Sequence, residues 1–392
     1  WTQTSTRLAI NVASTFTGNT TLNEGILILG HKDALSSGSL TITGSSTIQA
    51  GADLSGANAV ANALVLNNNL TVSGSNSLTL SGAVAATGAD ANRTLTNSLT
   101  AGTLELSGTV NLGAAGNTAA RTLTISGVGN TTVGSAVVNG TAFANALLKN
   151  GTGTLTFGAG NTYTGATSLD LGTLVYTATN TQTGVFNFGS ANTIATTGTL
   201  DLSAANATFG SLVAQTDTAT ANNLTIGSGQ TLTITGNVAL GTARVASTNT
   251  ALTTTGGGSL VVQNVTTPPT SFVVGGVTSA AAQGNKAIVD LSGLSNLTVE
   301  LNTTSGVFRV NPANANNVSD KYSVLTLPST GAGTTTITTN SLNVGDSAQN
   351  NNSAGQINQL KLGTGVNTLN ANTVNIGTGG RDIGSITFNT AS

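Results

Sequence analysis

The sequence contains no cysteine among its 392 residues, and this absence removes several kinds of protein from consideration. There can be no disulfide framework, no thiolate metal site and no cysteine nucleophile. Methionine is absent too, even at position 1, so we expect the chain to be a processed product or a segment of a longer protein. No apolar run approaches the ~18–20 residues of a membrane-spanning helix, so we expect no membrane insertion of this segment.

Charged side chains are scarce, with only 11 basic and 13 acidic residues. They make up 6% of the chain, against ~25% in a typical globular domain. The basic residues are scattered singly, whereas a nucleic-acid interface needs clustered lysine and arginine, so nucleic acid is not an expected partner. Disordered chains combine few apolar residues with high net charge, but this chain is 38% hydrophobic with a net charge of −2. We therefore expect it to fold.

The residues that are abundant favour strands. Threonine, asparagine, serine and glycine form helices poorly, whereas valine, isoleucine and threonine suit strands. A short apolar-x-apolar unit, flanked by small polar residues, alternates with the period of two that is typical of half-buried strands. The unit recurs at Leu40/Ile42, Leu78/Leu80, Leu104/Leu106, Leu123/Ile125, Leu155/Phe157, Leu200/Leu202, Leu232/Ile234, Leu260/Val262, Leu342/Val344, Leu360/Leu362 and Ile386/Phe388.

Longer segments repeat as well, which indicates tandem construction. Residues 16–22 match residues 163–169, and this offset also aligns Leu8/Ile10 with Leu155/Phe157. In the last third, residues 336–345 match residues 368–377, at an offset of 32. Ile357, Leu360 and Leu362 then match Ile383, Ile386 and Phe388, at an offset of 26.

These repeats predict an all-β fold, a right-handed parallel β-helix (β-solenoid). In stacked coils each position recurs ~4.8 Å away, so a repeated charge faces its own copy, while asparagine and threonine can hydrogen-bond to theirs. At ~20–25 residues per coil the chain makes ~16–19 coils. We expect residues 1–392 to form one continuous solenoid with sections 1–147, 148–267 and 268–392, the last one beginning at a turn at Pro268-Pro269.

One segment resembles a known repeat. Residues 149–174 read KNGTGTLTFGAGNTYTGATSLDLGTL. They resemble the passenger-associated transport repeat, which is also called the autotransporter-associated β-strand repeat. The motif residues to which we assign a structural role are Lys149, Gly151, Gly153, Thr154, Leu155, Asn161, Tyr163, Gly165, Gly172 and Leu174. The resemblance implies a right-handed parallel β-helix that is exported across a Gram-negative envelope and displayed outside the cell.

The strongest candidate for a catalytic site is the turn His31-Lys32-Asp33, with Asp53 twenty residues further on. An enzyme of the pectate-lyase type needs several acids, usually a metal, and a basic residue on one face. Alignment at the repeat offset places Ala178–Asn180 opposite this turn, so the repeat itself does not require these side chains. The preferred interpretation is an ordinary surface turn.

Other candidates have simpler interpretations. Gly380-Arg381-Asp382 is interpreted as a solvated turn, and Asp290 and Glu300 as rim or opposite-face residues rather than calcium ligands. Tyr163 and Phe16 occupy equivalent positions, where stacking between coils is preferred to a platform for glycans.

Asparagine also occurs in the triplet that accepts N-linked glycans, and composition alone accounts for its frequency. Examples are Asn19, Asn130 and Asn302, and glycosylation of this chain stays open.

Two hypotheses about function follow. The first is a non-enzymatic structural or adhesive β-solenoid, secreted to the bacterial cell surface as a stalk or filament-forming segment. The second is a polysaccharide-binding or polysaccharide-cleaving β-helix. Scarcity of acids, bases and aromatic residues favours the first, with no catalytic centre, metal or cofactor. Neither end of the sequence resembles a capping repeat. We therefore expect the partners to be further copies of the chain, bound end to end or side by side, or the remainder of a larger chain. Cell-surface glycans are a further possible partner.

Overall fold

The computed structural model describes residues 2–3, 6–88, 91–114, 116–189, 197–215, 221–243, 250–277, 286–311, 322–331, 333–345, 357–378 and 383–388. The chain divides into two compact units, Trp1–Gly184 and Val185–Ser392. Strands pair in parallel throughout the described residues, apart from an isolated antiparallel bridge between Gly227 and Gly257. The helical content of these residues is one 3-10 turn, Gly56–Asn58. The chain is therefore a parallel β-solenoid, as the sequence predicts.

The first unit contains three parallel sheets, each built from strands of successive coils. The first sheet consists of Thr2–Gln3, Thr20–Leu22, Leu40–Ile42, Leu64–Leu66, Val84–Ala86, Val110–Asn111 and Val137–Val138. The second consists of Arg7–Ile10, Gly25–Leu29, Ser46–Ala50, Leu70–Gly74, Arg93–Leu99, Thr122–Gly127, Ala146–Lys149 and Thr167–Leu169. The third consists of Leu78–Leu80, Leu104–Leu106, Thr131–Val133, Thr154–Phe157 and Leu171–Tyr176. A further short strand is Asn180–Thr181.

The second unit also has three rows of parallel strands. One row consists of Val185–Phe188, Ser211–Gln215, Val238–Ala243, Ser271–Val277 and Val307–Val310. The next consists of Ala207–Phe209, Thr231–Ile234, Ser259–Val262 and Asn296–Glu300. The long strands Thr334–Val344 and Val366–Ile376 continue both rows. The third row consists of Thr197–Leu202, Asn222–Ile226, Thr250–Thr255, Lys286–Asp290, Tyr322–Thr326, Ile357–Leu362 and Ile383–Phe388.

The core lies inside the coils, where like positions stack on one another. Leu22 pairs with Ile42, Ile42 with Leu66 and Leu66 with Ala86, and all four side chains are buried. Each large aliphatic side chain buried in this way contributes roughly 1.5–3 kcal/mol before entropy is subtracted. The column therefore stabilises parallel stacking in one register, since a slip of one residue would turn apolar side chains outward.

The coils differ in length more than the sequence suggests. In the first unit Leu8 pairs with Leu27, which lies 19 positions later. In the second unit Leu297 pairs with Thr335, which lies 38 positions later. The extra residues lie between the paired strands, where a solenoid tolerates insertions because the register of the strands is unaffected.

The predicted apolar pairs are buried, with one exception. Of the eleven apolar-x-apolar pairs identified in the sequence, ten have both side chains in the core. Phe388, in the last described strand, is 74% exposed. The offsets of 32 and 26 predicted for the last third are confirmed, because Leu342 pairs with Val374 and Leu360 with Ile386.

The longer offset of 147 relates strands on different sheets. Arg7–Ile10 belongs to the second sheet, whereas its counterpart Thr154–Phe157 belongs to the third. Thr20–Leu22 and Thr167–Leu169 lie likewise on the first and second sheets. The repeated motif therefore specifies a strand, a corner and the next strand rather than a complete coil. The division into sections at residues 147 and 267 stays a prediction.

Candidate functional site

The segment that resembles the transport repeat forms two strands and the corners beside them. Lys149 ends strand Ala146–Lys149, and Thr154 and Leu155 begin the strand that follows. Gly172 and Leu174 lie on strand Leu171–Tyr176, whose residues pair directly with those of Thr154–Phe157. The motif thus spans neighbouring coils of the first unit.

Glycines of the motif stack on backbone at a corner where no side chain fits. A Cβ on Gly153 would lie under 3.0 Å from the carbonyl oxygen of Gly129, one coil away. Gly151 and Gly172 have φ values of 126° and 81°, and a Cβ on Gly172 would meet the carbonyl oxygen of Gly151. Glycine is required here both for the left-handed backbone and for the close approach of successive coils.

Lys149 is a buried cation that joins two coils. Its Nζ donates to the carbonyl oxygen of Leu171 at 3.0 Å and to that of Gly151. The residue is 2% exposed, and burial lowers the pKa of its amine to about 8. Because it donates to backbone carbonyls of its own coil and of the next one, the side chain holds the two coils together at the glycine corner.

Tyr163 belongs to a buried cluster of polar side chains. Its hydroxyl lies 2.6 Å from the hydroxyl of Thr167. Gln182 Oε1 accepts from Asn180 Nδ2 at 2.9 Å and from the hydroxyl of Tyr176 at 3.4 Å. Burial raises the pKa of Tyr163 to about 12 and that of Tyr176 well above its usual value, so both phenols stay neutral.

The burial of these aromatic residues argues against the glycan platform, whereas stacking of Tyr163 and Phe16 between coils stays a prediction. Tyr163 is fully buried and Phe16 is half-buried, so these two side chains do not form an exposed platform for sugar rings. A ring contact between coils is present nearby, since the centroids of Phe157 and Tyr176 lie 5.2 Å apart.

The turn His31-Lys32-Asp33, which was the strongest catalytic candidate, is held by local bonds. Lys32 Nζ lies 2.8 Å from Asp33 Oδ2, and His31 Nδ1 lies 3.8 Å from the same oxygen. Asp53 bonds instead to its own neighbour, because its Oδ1 accepts from the amide and hydroxyl of Ser55. Among the described residues, no three His, Asp or Glu side chains come together as a metal site would require.

The remaining acidic candidates are separate from one another. Asp290 Oδ1 accepts from the amide of Ser292 at 2.9 Å, which forms a tight local turn. Glu300 is exposed and borders an open depression beside Pro268 and Thr338. The segment Gly380-Arg381-Asp382 lies outside the described residues.

Asparagine has a role that sequence reasoning only partly predicts. We expected amides to bond to their own copies, and Asn375 does donate to Asn343 Oδ1 at 2.9 Å. More often the amide oxygen accepts from a backbone N–H of an adjacent coil, at 2.7–3.2 Å. The N–H lies on the following coil for Asn19, Asn69, Asn92, Asn130, Asn206, Asn237 and Asn296. It lies on the preceding coil for the buried Asn145, Asn161, Asn180, Asn222 and Asn358.

The third potential glycosylation site, Asn302, accepts instead from the amides of Thr304 and Ser305 in its own turn. Four of the other asparagines could have been located from the sequence, because they stand directly before an apolar-x-apolar pair: Asn69, Asn206, Asn237 and Asn296. The rest carry no such signal. Each bond to a neighbouring coil contributes about 0.5–1.5 kcal/mol.

Two buried arginines were also missed by sequence reasoning. Arg93 donates to the carbonyl oxygen of Thr87 at 3.1 Å, and Arg121 donates to the same oxygen at 3.4 Å. Burial, and then the nearby charge of Arg121, lower the pKa of Arg93. Like Lys149, these cations bind backbone carbonyls rather than an open cleft.

No protein-family model matches the sequence. A search of curated proteins finds no similar chain, and a search of solved structures finds no match. Within the part of the chain that the structure describes, there is no helix long and apolar enough to cross a membrane.

Proposed function

We propose that this chain is a non-enzymatic, extracellular β-solenoid that serves as a structural or adhesive segment of a bacterial surface protein. The observation that carries the proposal is that buried and half-buried polar side chains bind the backbone of neighbouring coils. Asparagine oxygens and the buried amine of Lys149 bind the backbone of adjacent coils. These polar groups therefore stabilise a repetitive scaffold, whereas an enzyme would gather such groups in a cleft.

Two further features support an extracellular role. Residues 149–174 resemble the passenger-associated transport repeat of exported bacterial proteins. The 24 formally charged residues leave the chain near neutrality, so neighbouring molecules can associate without strong repulsion. Both features suit a stalk or filament that spaces or joins cells.

Surface display can be tested with antibodies raised against residues 149–174 folded within the whole chain. We expect them to label intact, unpermeabilised producing cells, with an antibody against a cytoplasmic protein as the negative control. Labelling that requires permeabilisation would contradict the proposal.

A second measurement separates a scaffold from an enzyme. The purified chain is incubated with a panel of acidic and neutral polysaccharides, with and without calcium, and new chain ends are assayed. We expect no new chain ends. We also expect beads coated with the chain to bind to cells. Cleavage of any polysaccharide would favour the enzymatic alternative.

A further inference from the structure

Acceptor triplets for N-linked glycans recur along the described part of the chain, and most of them are held in the sheets. Thr71, the hydroxyl residue of the triplet that begins at Asn69, pairs with Thr47 on one side and Thr96 on the other. A strand paired in this way can enter the active site of a transferase only by leaving its sheet, which local opening of a core strand makes costly. The triplets whose hydroxyl residue lies on a strand begin at Asn19, Asn69, Asn92, Asn130, Asn206, Asn223 and Asn296.

Two further triplets lie in turns, at corners that pack closely on a neighbouring coil. The side chain of Asn139 is held at both ends, because Nδ2 donates to the hydroxyl of Thr164 at 2.9 Å and Oδ1 accepts from the amide of Thr164 at 3.2 Å. In the triplet that begins at Asn150, the middle residue Gly151 lies so near the backbone of Gly127 that a Cβ would come under 3.0 Å from it. Neither triplet can leave its corner without separating two coils.

The triplets that begin at Asn264 and Asn302 differ from these, because they lie in exposed turns outside the strands. Both turns follow strands that pair with each other in successive coils. Val265, the middle residue of the first triplet, is 90% exposed, and Thr303, the middle residue of the second, is exposed as well. An open depression of about 400 Å³, lined in part by Asn264 and Thr303, leaves room for a sugar beside both turns.

Each of these two amides is already arranged as an acceptor. Asn302 Oδ1 accepts from the hydroxyl of Thr304 at 2.6 Å and from its amide at 2.9 Å. Asn264 Oδ1 accepts in the same way from Thr266, at 2.9 and 3.1 Å. Negative charge develops on an amide oxygen when its nitrogen gives up a proton, so donors placed at that oxygen favour reaction at the nitrogen. Within the described part of the chain, neither Nδ2 donates to another group.

We propose that the folded chain accepts N-linked sugars at Asn264 and Asn302, from a donor in which the sugar is activated by a nucleoside diphosphate. The bond between Nδ2 and the anomeric carbon forms as the bond between that carbon and the diphosphate oxygen breaks. The diphosphate leaves with the electron pair of the broken bond, and the proton of Nδ2 passes to a base of the transferase. The reaction involves no oxidation or reduction.

Sugar transfer can be measured on the full 392-residue chain with UDP-glucose and a soluble N-glycosyltransferase that reads the acceptor triplet. Mass spectrometry then maps the modified peptides. A protease digest of the same chain, treated alike, is the control, because no triplet in it is held in a sheet. We expect glucose at Asn264 and Asn302 in the folded chain, and at strand triplets such as those of Asn69 and Asn130 in the digest only. Absence of glucose from Asn264 and Asn302 of the folded chain, or equal uptake at Asn69 and Asn130, would overturn the proposal.

Substitutions of the hydroxyl residues test each site separately. Thr304→Val keeps the shape of the side chain but removes the hydroxyl, so we expect uptake at Asn302 to fall to background while uptake at Asn264 is unchanged. Thr266→Val should have the opposite selectivity, and Thr304→Ser, which keeps the hydroxyl, should be modified at both sites. Both threonines are exposed, and circular dichroism verifies that each variant folds. Wild-type uptake at Asn302 in Thr304→Val would refute the assigned role of this hydroxyl and with it the inference.

The modification goes beyond the proposed structural function and does not depend on it. That function fails by different results, namely polysaccharide cleavage or absence from the cell surface. Neither result measures sugar uptake by the chain, so the two failures can be told apart.

Discussion

Replacing Gly153 with alanine tests the claim that successive coils touch at the glycine corner. The added methyl group would lie under 3.0 Å from the carbonyl oxygen of Gly129, which is backbone and cannot rotate away. Overpacking of this kind costs about 1–3 kcal/mol. The substitution also stiffens the unfolded chain, which offsets roughly 0.4–1 kcal/mol of that loss. We therefore expect net destabilisation of the first unit.

Gly158→Ala provides a matched control in the same motif. A Cβ there would lie 3.5 Å from its nearest neighbour, the Cα of Gly134, which is an ordinary contact. Its amide keeps its bond to the carbonyl oxygen of Val133 at 2.9 Å. The chemical change is the same but the clash is absent, so stability should be unchanged or slightly increased.

Thermal unfolding and hydrogen exchange can report the difference. For a unit of this size, 1 kcal/mol shifts the melting temperature by about 2–4 °C, so Gly153→Ala should melt several degrees below Gly158→Ala. The amide of Gly153 donates to Gly127 at 3.1 Å and should lose exchange protection in the first variant only. Equal melting temperatures and equal protection would refute the stacked corner.

Three further predictions concern other residues. In the wild type we expect the free energy of unfolding to rise between pH 8 and 10.5, because over that range the unfolded state binds a proton at Lys149 that the folded state has lost. Lys149→Met should abolish this rise, which urea titrations across the range would measure. Tyr163→Phe should lower the free energy of unfolding by about 0.5–3 kcal/mol, as measured by denaturant melts, because a buried hydroxyl partner loses its bond. Replacing His31, Asp33 and Asp53 together by alanine should change stability by no more than ~0.5 kcal/mol and remove no activity on polysaccharides, and a loss of cleavage would show that they form a catalytic site.

Much of the fold follows from local patterns in the sequence. The alternation at Leu360/Leu362 predicts a strand with one buried face, and both side chains are buried. The offsets of 32 and 26 predict which residues stack, since parallel coils place like positions in register, and Leu342 pairs with Val374. Glycines at the start of residues 149–174 indicate corners, because a left-handed backbone such as that of Gly151 strongly favours glycine.

The side-chain environments follow from the sequence only in part. Tyr163 is aromatic and flanked by threonine, a pattern equally compatible with a surface platform and with a core. In the structure its hydroxyl is buried beside that of Thr167, which in turn donates to Gln182 Oε1. Lys149 likewise has no acidic neighbour in the sequence that would suggest a buried role, and its partners are backbone carbonyls.

The sequence by itself determined strand identity, parallel stacking and the register of the last coils, because these depend on side-chain periodicity and repeat spacing. The tertiary structure alone decided the length of each coil and the sheet that each strand joins. Leu8 and Leu155 share a motif position but lie on different sheets, because the residues between strands set how far the chain turns.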